Sequence, residues 1–271
     1  MSKIIAILNQ KGGAGKTTLS TNLARLRDRV ELAVADSAYN AAELDELGYT
    51  DVRIVAPTPD VDRLDRVVPD PAMLGRLSDW GPGPVVLCVA QLLPHKRIER
   101  FLAAVAVLQQ EYLPAARLAL VGVERFGDYS GALRSFARSV GLSDLQPLGR
   151  VTDEELAALY LRAGVFCTLS EHEGFCVPAV EAMALGVPVV ASARAAIPDT
   201  VRDAGVLIDD PDDPVLVAGV LHHVLTDTTT RHVMVGRGVA RARELSADRS
   251  LPQVVDALLE LAGPLERVGP S

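Results

Sequence analysis

The sequence has few cysteines and no long apolar run. Its cysteines are Cys88, Cys167 and Cys176, an odd number without the paired spacing of a zinc or redox site. We therefore expect buried, reduced thiols. No apolar run approaches the roughly 18 residues that a membrane span needs, and the segment MSKIIAILNQKGG lacks the build of a signal peptide. These absences predict a cytoplasmic protein without a membrane span.

An excess of basic residues is also missing. The 271 residues include 27 Lys and Arg against 35 Asp and Glu, a formal net charge of −8. This balance gives no general reason to bind nucleic acid or an acidic membrane, which would need a clustered basic face. With 49% hydrophobic residues, the chain can bury the cores of one large or two ordinary domains of about 100 to 200 residues each.

Short apolar runs of strand length alternate with helical patterns through most of the chain. Strands without polar alternation, separated by amphipathic helices, are typical of buried parallel strands joined by right-handed crossovers. The predicted fold class is α/β, with a doubly wound, Rossmann-like parallel sheet and a smaller α/β unit before it. The strand candidates are IIAIL, LAVA, VRIVA, VVLCVA, RLALVG, VFCTL, PVVAS and GVLID.

The segment WGPGP at residues 80–84 is the predicted domain boundary, because its prolines and glycines interrupt any regular element. Three of these strand candidates precede it, and between Val85 and about Ile208 we expect six strands, of which five are the runs given above. The predicted units are therefore a reduced amino-terminal unit (1–80), a large domain (81–250) and a carboxy-terminal amphipathic helix with a tail (251–271).

The segment QKGGAGKTT lies between a strand candidate and a helical pattern, in the order of a phosphate-binding loop. Gly12, Gly13 and Gly15 would let the backbone turn its N–H groups inward. Lys16 would reach the β and γ phosphates, and Thr17 would hold a magnesium ion. The loop thus predicts ATP with Mg²⁺ as one ligand of the chain, with a glycine turn that binds nothing as the structural alternative.

The sequence of this loop also suggests a family. Gln10 replaces the usual first glycine and Lys11 is an added lysine, a combination that resembles the deviant loop of partitioning ATPases of the ParA and MinD kind over residues 3–25. Those ATPases carry a D-x-D-P-Q segment after the next strand. Here ADSAYN supplies Asp36 but not the second aspartate, the proline or the glutamine. Nucleotide binding is therefore expected at most, without hydrolysis.

A second dense cluster lies at residues 169–192, LSEHEGFCVPAVEAMALGVPVVAS. Pro178 suits the first turn of a helix and Gly186 its end. Glu181 would then lie one turn inside the helix, while Glu173 lies on the loop before it. We expect both carboxylates to face one crevice at the carboxyl end of the strand VFCTL, where open α/β sheets bind ligands.

The backbone of this cluster suits a diphosphate. The N–H groups around Phe175 and Cys176 lie at the predicted helix start, which carries a partial positive charge. Nearby carboxylates accept hydrogen bonds from sugar hydroxyls. The cluster therefore predicts a site for a nucleotide sugar.

The cluster resembles the E-x₇-E signature of the retaining, nucleotide-sugar-dependent glycosyltransferases of family 4, which have the two-domain GT-B fold. Other segments are similar to this family in the same order, including VAQLLPHKRIERFLAAV, PLGRVTDEELAALYLRAGVFCTLS and AGVLIDDPDD. The resemblance runs from about Leu26 to about Arg243, about four fifths of the chain.

The resemblance implies roles for individual residues. Glu173 and Lys96 would be the catalytic pair, with Glu173 on hydroxyls of the donor sugar and Lys96 on the diphosphate. Glu181 would bind the ribose hydroxyls. The backbone groups that would meet the sugar, the phosphates or the base belong to Gly174, Phe175, Arg150 and Val151.

One residue departs from the family pattern. Gln91 stands where the family has a phosphate-binding arginine. Because a charge-assisted hydrogen bond is worth about 1.5 to 3 kcal/mol, we expect donor binding to be weakened roughly 10- to 100-fold.

The two resemblances together describe a fusion or a truncation, in which a P-loop unit precedes a reduced first domain and a complete donor domain. The implied reaction is transfer of a sugar from a UDP- or GDP-sugar to an unknown acceptor hydroxyl, with retained configuration. The alternatives are a P-loop ATP-binding protein whose transferase part is a scaffold, and a remnant that binds neither ligand. Apolar surface left open by a reduced first domain favours self-association, so a homodimer is one expected state.

Overall fold

The computed structural model describes most of the large predicted domain and part of the smaller unit. The glycine loop at residues 11–17 and the predicted helix from residue 251 lie outside the described residues. For residues 5–8 the backbone alone is described. The described residues are 5–8, 32–55, 57, 59–60, 62–124, 127–142, 145 and 147–246.

The smaller unit contains a parallel sheet of three strands in the order β1-β2-β3. The strands are β1 (Ile5–Leu8), β2 (Leu32–Ala35) and β3 (Val52–Ile54). The side chain of Ser37 accepts a hydrogen bond from the Asn40 amide and so caps helix α1 (Ala38–Glu46). The three predicted strands before the boundary are thus confirmed.

The large unit contains a parallel sheet of five strands in the order β5-β4-β6-β7-β8. The expectation of six strands between Val85 and Ile208 is wrong for the described residues. The five apolar runs that the sequence shows in that span each form one strand. The strands are β4 (Val85–Val89), β5 (Arg117–Val121), β6 (Ala163–Thr168), β7 (Val189–Ser192) and β8 (Val206–Ile208).

Helices connect the strands of the large unit. Within the described residues, none of them has the length and apolar character required to cross a membrane. A π-helical turn over Leu108–Tyr112 continues the helix Ile98–Val107. The helices are α2 (Pro71–Asp79), α3 (Ile98–Val107), α4 (Tyr129–Ser139), α5 (Asp153–Arg162), α6 (Val177–Ala184), α7 (Ile197–Val201), α8 (Pro214–Thr226) and α9 (Thr228–Glu244).

Both faces of the large sheet are covered, which explains why its strands lack polar alternation. In β4, Val85 and Leu87 point into one core, and Val86 and Cys88 point into the other. Helices α2, α5, α6 and α7 supply residues to the first core, and α3, α4 and α8 supply residues to the second. The predicted doubly wound α/β fold is therefore confirmed.

Helix α2 precedes the predicted boundary in sequence but packs on the large unit. Met73 and Leu77 belong to one of its two cores, and the Asp70 amide donates to the Glu154 carbonyl over 2.9 Å. The boundary at residues 80–84 stays a prediction.

The strand order determines where a ligand can bind. Strands β4 and β6 are neighbours in the sheet. The chain continues from β4 to β5 on one side of this pair, and from β6 to β7 on the other side. Parallel strands with such connections leave a crevice at their carboxyl ends. The loops that follow β4 (residues 90–97) and β6 (residues 169–176) meet there.

We expect Gly83→Ala to destabilise the protein, because a Cβ at this buried position would lie 1.6 Å from the Ala115 carbonyl oxygen. Such overpacking costs about 1 to 3 kcal/mol of unfolding free energy. The control is Gly75→Ala on α2, where a Cβ meets no atom within 4 Å. Urea unfolding measures both variants, and equal midpoints would contradict the close packing at Gly83.

Candidate active site

A cavity of about 390 Å³ lies at the carboxyl ends of β4 and β6. It is the crevice that the strand order predicts, and Asp36 from the smaller unit lines its other side. The sequence-predicted residues in its wall are Gln91, Lys96, Glu173, Gly174 and Phe175.

The charged centre of the cavity is an ion pair between Lys96 and Glu173. The Lys96 Nζ lies 2.5 Å from Glu173 Oε2, and the two side chains are only 16% and 12% exposed. The Ser170 hydroxyl donates to Glu173 Oε1 over 2.8 Å. Each carboxylate oxygen therefore has one bound donor and keeps capacity for another.

The loop before α6 is held by local structure. Cys176 adopts a left-handed conformation (φ 63°), and Pro178 lies in the first turn of α6. Gly186, just after the helix, has a φ of 70°, so the predicted helix start and end are both confirmed. The Thr200 hydroxyl donates to the Phe175 carbonyl over 2.7 Å. The end of the Glu173 loop that joins α6 is thereby fixed.

Glu181 is buried on α6 and lies outside the cavity wall. The Tyr160 hydroxyl donates to its Oε2 over 3.1 Å, and Arg63 Nη2 lies 2.8 Å from its Oε1. Arg63 also pairs with Asp153. Burial, followed by the charge of Glu181, raises the pKa of Tyr160 well above its usual value, so the phenol stays protonated and donates.

Nothing in the local sequence around Glu181 indicates these two partners. Tyr160 precedes it by 21 residues and Arg63 by 118. Both carboxylates of the E-x₇-E pattern were expected to face one crevice. Glu173 lines the cavity, as expected. For Glu181, the structure instead shows a carboxylate enclosed by Arg63 and Tyr160.

The predicted base-binding loop lies at the carboxyl end of β5, outside the cavity wall. The Gly122 amide donates to the Gly149 carbonyl over 3.1 Å and attaches the loop to this strand. Arg150 is exposed, and the half-buried Val151 packs on the core.

The three cysteines are buried and unpaired, as predicted. Burial is the main reason that the pKa of Cys88 rises to about 12, and the charge of Glu173 adds to it. The pKa of Cys176 in the cavity wall is raised by the same two causes. Both thiols stay protonated at neutral pH, so neither is a nucleophile.

Two models of known protein families match parts of this chain. A family model described as "Glycosyl transferases group 1" matches residues 80–240, more than half of the 271 residues. The chain belongs to this family. A second model, described as "AAA domain", matches residues 2–42, which contain the glycine loop.

The chain is also similar to curated glycosyltransferases, one of which extends the similarity into the smaller unit. A D-inositol 3-phosphate glycosyltransferase of Salinispora tropica is 34% identical over 221 residues, covering 76% of this chain and 45% of the relative. A GDP-mannose-dependent alpha-(1-6)-phosphatidylinositol monomannoside mannosyltransferase of Mycolicibacterium smegmatis is 33% identical over 175 residues, covering 60% and 44%. The chain thus spans about half the length of the curated relatives that it matches.

A solved structure shares the fold of this group 1 chain. HepE of Anabaena, solved in complex with UDP and glucose, superposes with a TM-score of 0.81 at 20% identity. The match covers 94% of this chain and 71% of HepE. The predicted GT-B type fold is confirmed.

We expect Tyr160→Phe to destabilise the protein, because it removes the hydroxyl that donates to the buried Glu181. Leaving a buried charged acceptor with one donor fewer costs about 1 to 3 kcal/mol of unfolding free energy. The control is Tyr112→Phe, which keeps the ring that stacks on His222 at an exposed position. An equal unfolding free energy for the two variants would contradict the role of the Tyr160 hydroxyl.

Proposed function

We propose that this chain binds a nucleotide sugar in the cavity and transfers the sugar to an acceptor hydroxyl with retained configuration, as in glycosyltransferases of family 4. The observation that carries the proposal is the enclosed Lys96–Glu173 pair at the carboxyl ends of β4 and β6. It lies within the residues that match the family. The E-x₇-E resemblance supports family 4 and retention.

Lys96 would bind the diphosphate. One of its three N–H donors is directed at Glu173, so two remain for phosphate oxygens. The backbone amides of Gly174 and Phe175 would add further donors. These groups would stabilise the negative charge that develops on the leaving diphosphate as the glycosidic bond breaks.

Glu173 would hold the donor sugar and Glu181 the ribose. A carboxylate accepts hydrogen bonds from neighbouring hydroxyls, and both oxygens of Glu173 have capacity left. The backbone at Arg150 and Val151 would meet the base. Gln91 in the cavity wall would offer an amide where an arginine would offer a charge.

The names of the similar proteins support two classes of donor. HepE was solved with UDP, and the mycobacterial relative is named as GDP-mannose-dependent. We therefore propose a UDP- or GDP-sugar as donor.

The second candidate function is a P-loop protein that binds ATP with Mg²⁺. The match of residues 2–42 to an AAA domain favours it. Its residues Gly12, Gly13, Gly15, Lys16 and Thr17 lie outside the described residues. Calorimetric titration with ATP and Mg²⁺ separates the two functions, since Lys16→Ala should abolish ATP binding alone.

We expect Glu173→Gln to weaken binding of UDP- or GDP-sugars by roughly 10-fold or more, because a charge-assisted hydrogen bond is worth about 1.5 to 3 kcal/mol. Calorimetric titration against a panel of these donors measures the change. The control is Glu171→Gln on the same loop, a largely exposed residue that pairs with Arg97 and Arg100. Equal donor affinity in Glu173→Gln and the parent would contradict the site assignment.

We expect Arg63→Ala to tighten donor binding by roughly 3- to 10-fold. The ribose hydroxyls would no longer compete with the guanidinium for Glu181. The control is Arg66→Ala, since Arg66 lies on the same segment and pairs with Asp60 at the surface. Weaker donor binding by Arg63→Ala alone would show that the arginine supports the nucleotide instead of blocking it.

A further inference from the structure

Asp36 is a buried carboxylate in the cavity that the proposed function does not yet use. It follows strand β2 of the smaller unit and is only 7% exposed. Together with Lys96 and Glu173 it lines the cavity, so each of the two units contributes an acidic residue to the cavity wall.

The two oxygens of Asp36 have different surroundings. Oδ1 accepts hydrogen bonds from the Asn40 side-chain amide and, over 3.3 Å, from the Ser37 hydroxyl. Oδ2 lies against Gly174, where a Cβ would come within 2.7 Å of it. Among the described residues, no cation forms a salt bridge with Asp36. One oxygen is therefore anchored, and the other faces the loop that carries Glu173.

Contacts between the two units fix this position. The Tyr39 amide donates to Asp199 Oδ2 over 3.3 Å. The Tyr39 ring also meets the His172 ring edge-on, with the ring centres 5.7 Å apart. The first turn of α1 is thereby held against the large unit through Tyr39, three residues after Asp36.

Burial makes the ionised form of Asp36 costly. It raises the pKa of this carboxyl above its usual value, although the bonds from Asn40 and Ser37 oppose the rise. A carboxyl with a raised pKa in the folded state lowers stability once the pH rises above its unfolded value near 4. At neutral pH, hydrogen-bond donors from a ligand would offset this cost.

We propose that Asp36 binds the donor sugar, with Oδ2 accepting a hydrogen bond from a hydroxyl of the sugar on the side opposite Glu173. This inference rests on the proposed function, which places the sugar at Glu173 and Gly174. A sugar that contacts Gly174 comes within reach of Asp36, because the glycine leaves no side chain between them. A sugar with free hydroxyls fits a wall with two carboxylates, since carboxylate oxygens accept hydrogen bonds from hydroxyls.

The test compares nucleotide sugars with free nucleoside diphosphates by calorimetric titration of the full chain. We expect Asp36→Asn to weaken binding of the UDP- or GDP-sugar by roughly 10-fold, the effect of losing one charge-assisted hydrogen bond. Affinity for UDP or GDP alone should change less than about twofold, since Asp36 would contact the sugar only. The control is Asp45→Asn at the exposed end of α1.

Thermal unfolding separates a binding effect from a folding effect. Because the ionised form of Asp36 lowers stability, the melting temperature of Asp36→Asn at pH 7 should be no lower than that of the parent. If Asp36→Asn does not fold, the titration is repeated with Asp36→Ser. Equal weakening for sugar nucleotides and free diphosphates, or no weakening of either, would overturn the proposal. A parent chain that binds neither ligand would overturn the proposed function itself, and this inference with it.

Discussion

The reversal of strand order at β4 and β6 is the constraint on which the candidate site depends. The chain leaves these neighbouring strands toward opposite faces of the sheet, so no connection crosses the gap between their carboxyl ends. Lys96 enters this gap on a short turn after β4, and Glu173 enters it on the loop after β6. Both charges are held in a largely enclosed space because both strands are buried on both faces.

The charged side chains of the site form ion pairs with one another. Such pairing suits a site in which ligand groups replace one member of each pair when a ligand binds. Lys96 pairs with Glu173, and Arg63 pairs with Glu181. A diphosphate would compete with Glu173 for Lys96, and ribose hydroxyls would compete with Arg63 for Glu181. Asp36 differs from these pairs, because it enters the cavity without a salt-bridge partner among the residues that the structure describes.

Much of the fold could be predicted because its signals are local. Unalternated apolar runs identified each of the eight described strands, and the Pro178 and Gly186 positions placed both ends of α6. No such run corresponds to the sixth strand that was expected in the large unit. The Lys96–Glu173 contact joins residues 77 apart in sequence. The family resemblance implied a role for each residue in the site, but not that they contact each other. Arg63, Tyr160 and the place of Asp36 depend on packing between distant segments, for which the sequence carries no periodic signal.

The central claim is that the cavity between β4 and β6 is where a nucleotide sugar binds. A crystal structure of the chain soaked with a UDP- or GDP-sugar tests it most directly. The account predicts the diphosphate beside Lys96, with the sugar between Glu173 and Asp36. A nucleotide bound instead on the glycine loop at residues 11–17, with the Lys96–Glu173 pair unchanged, would contradict it.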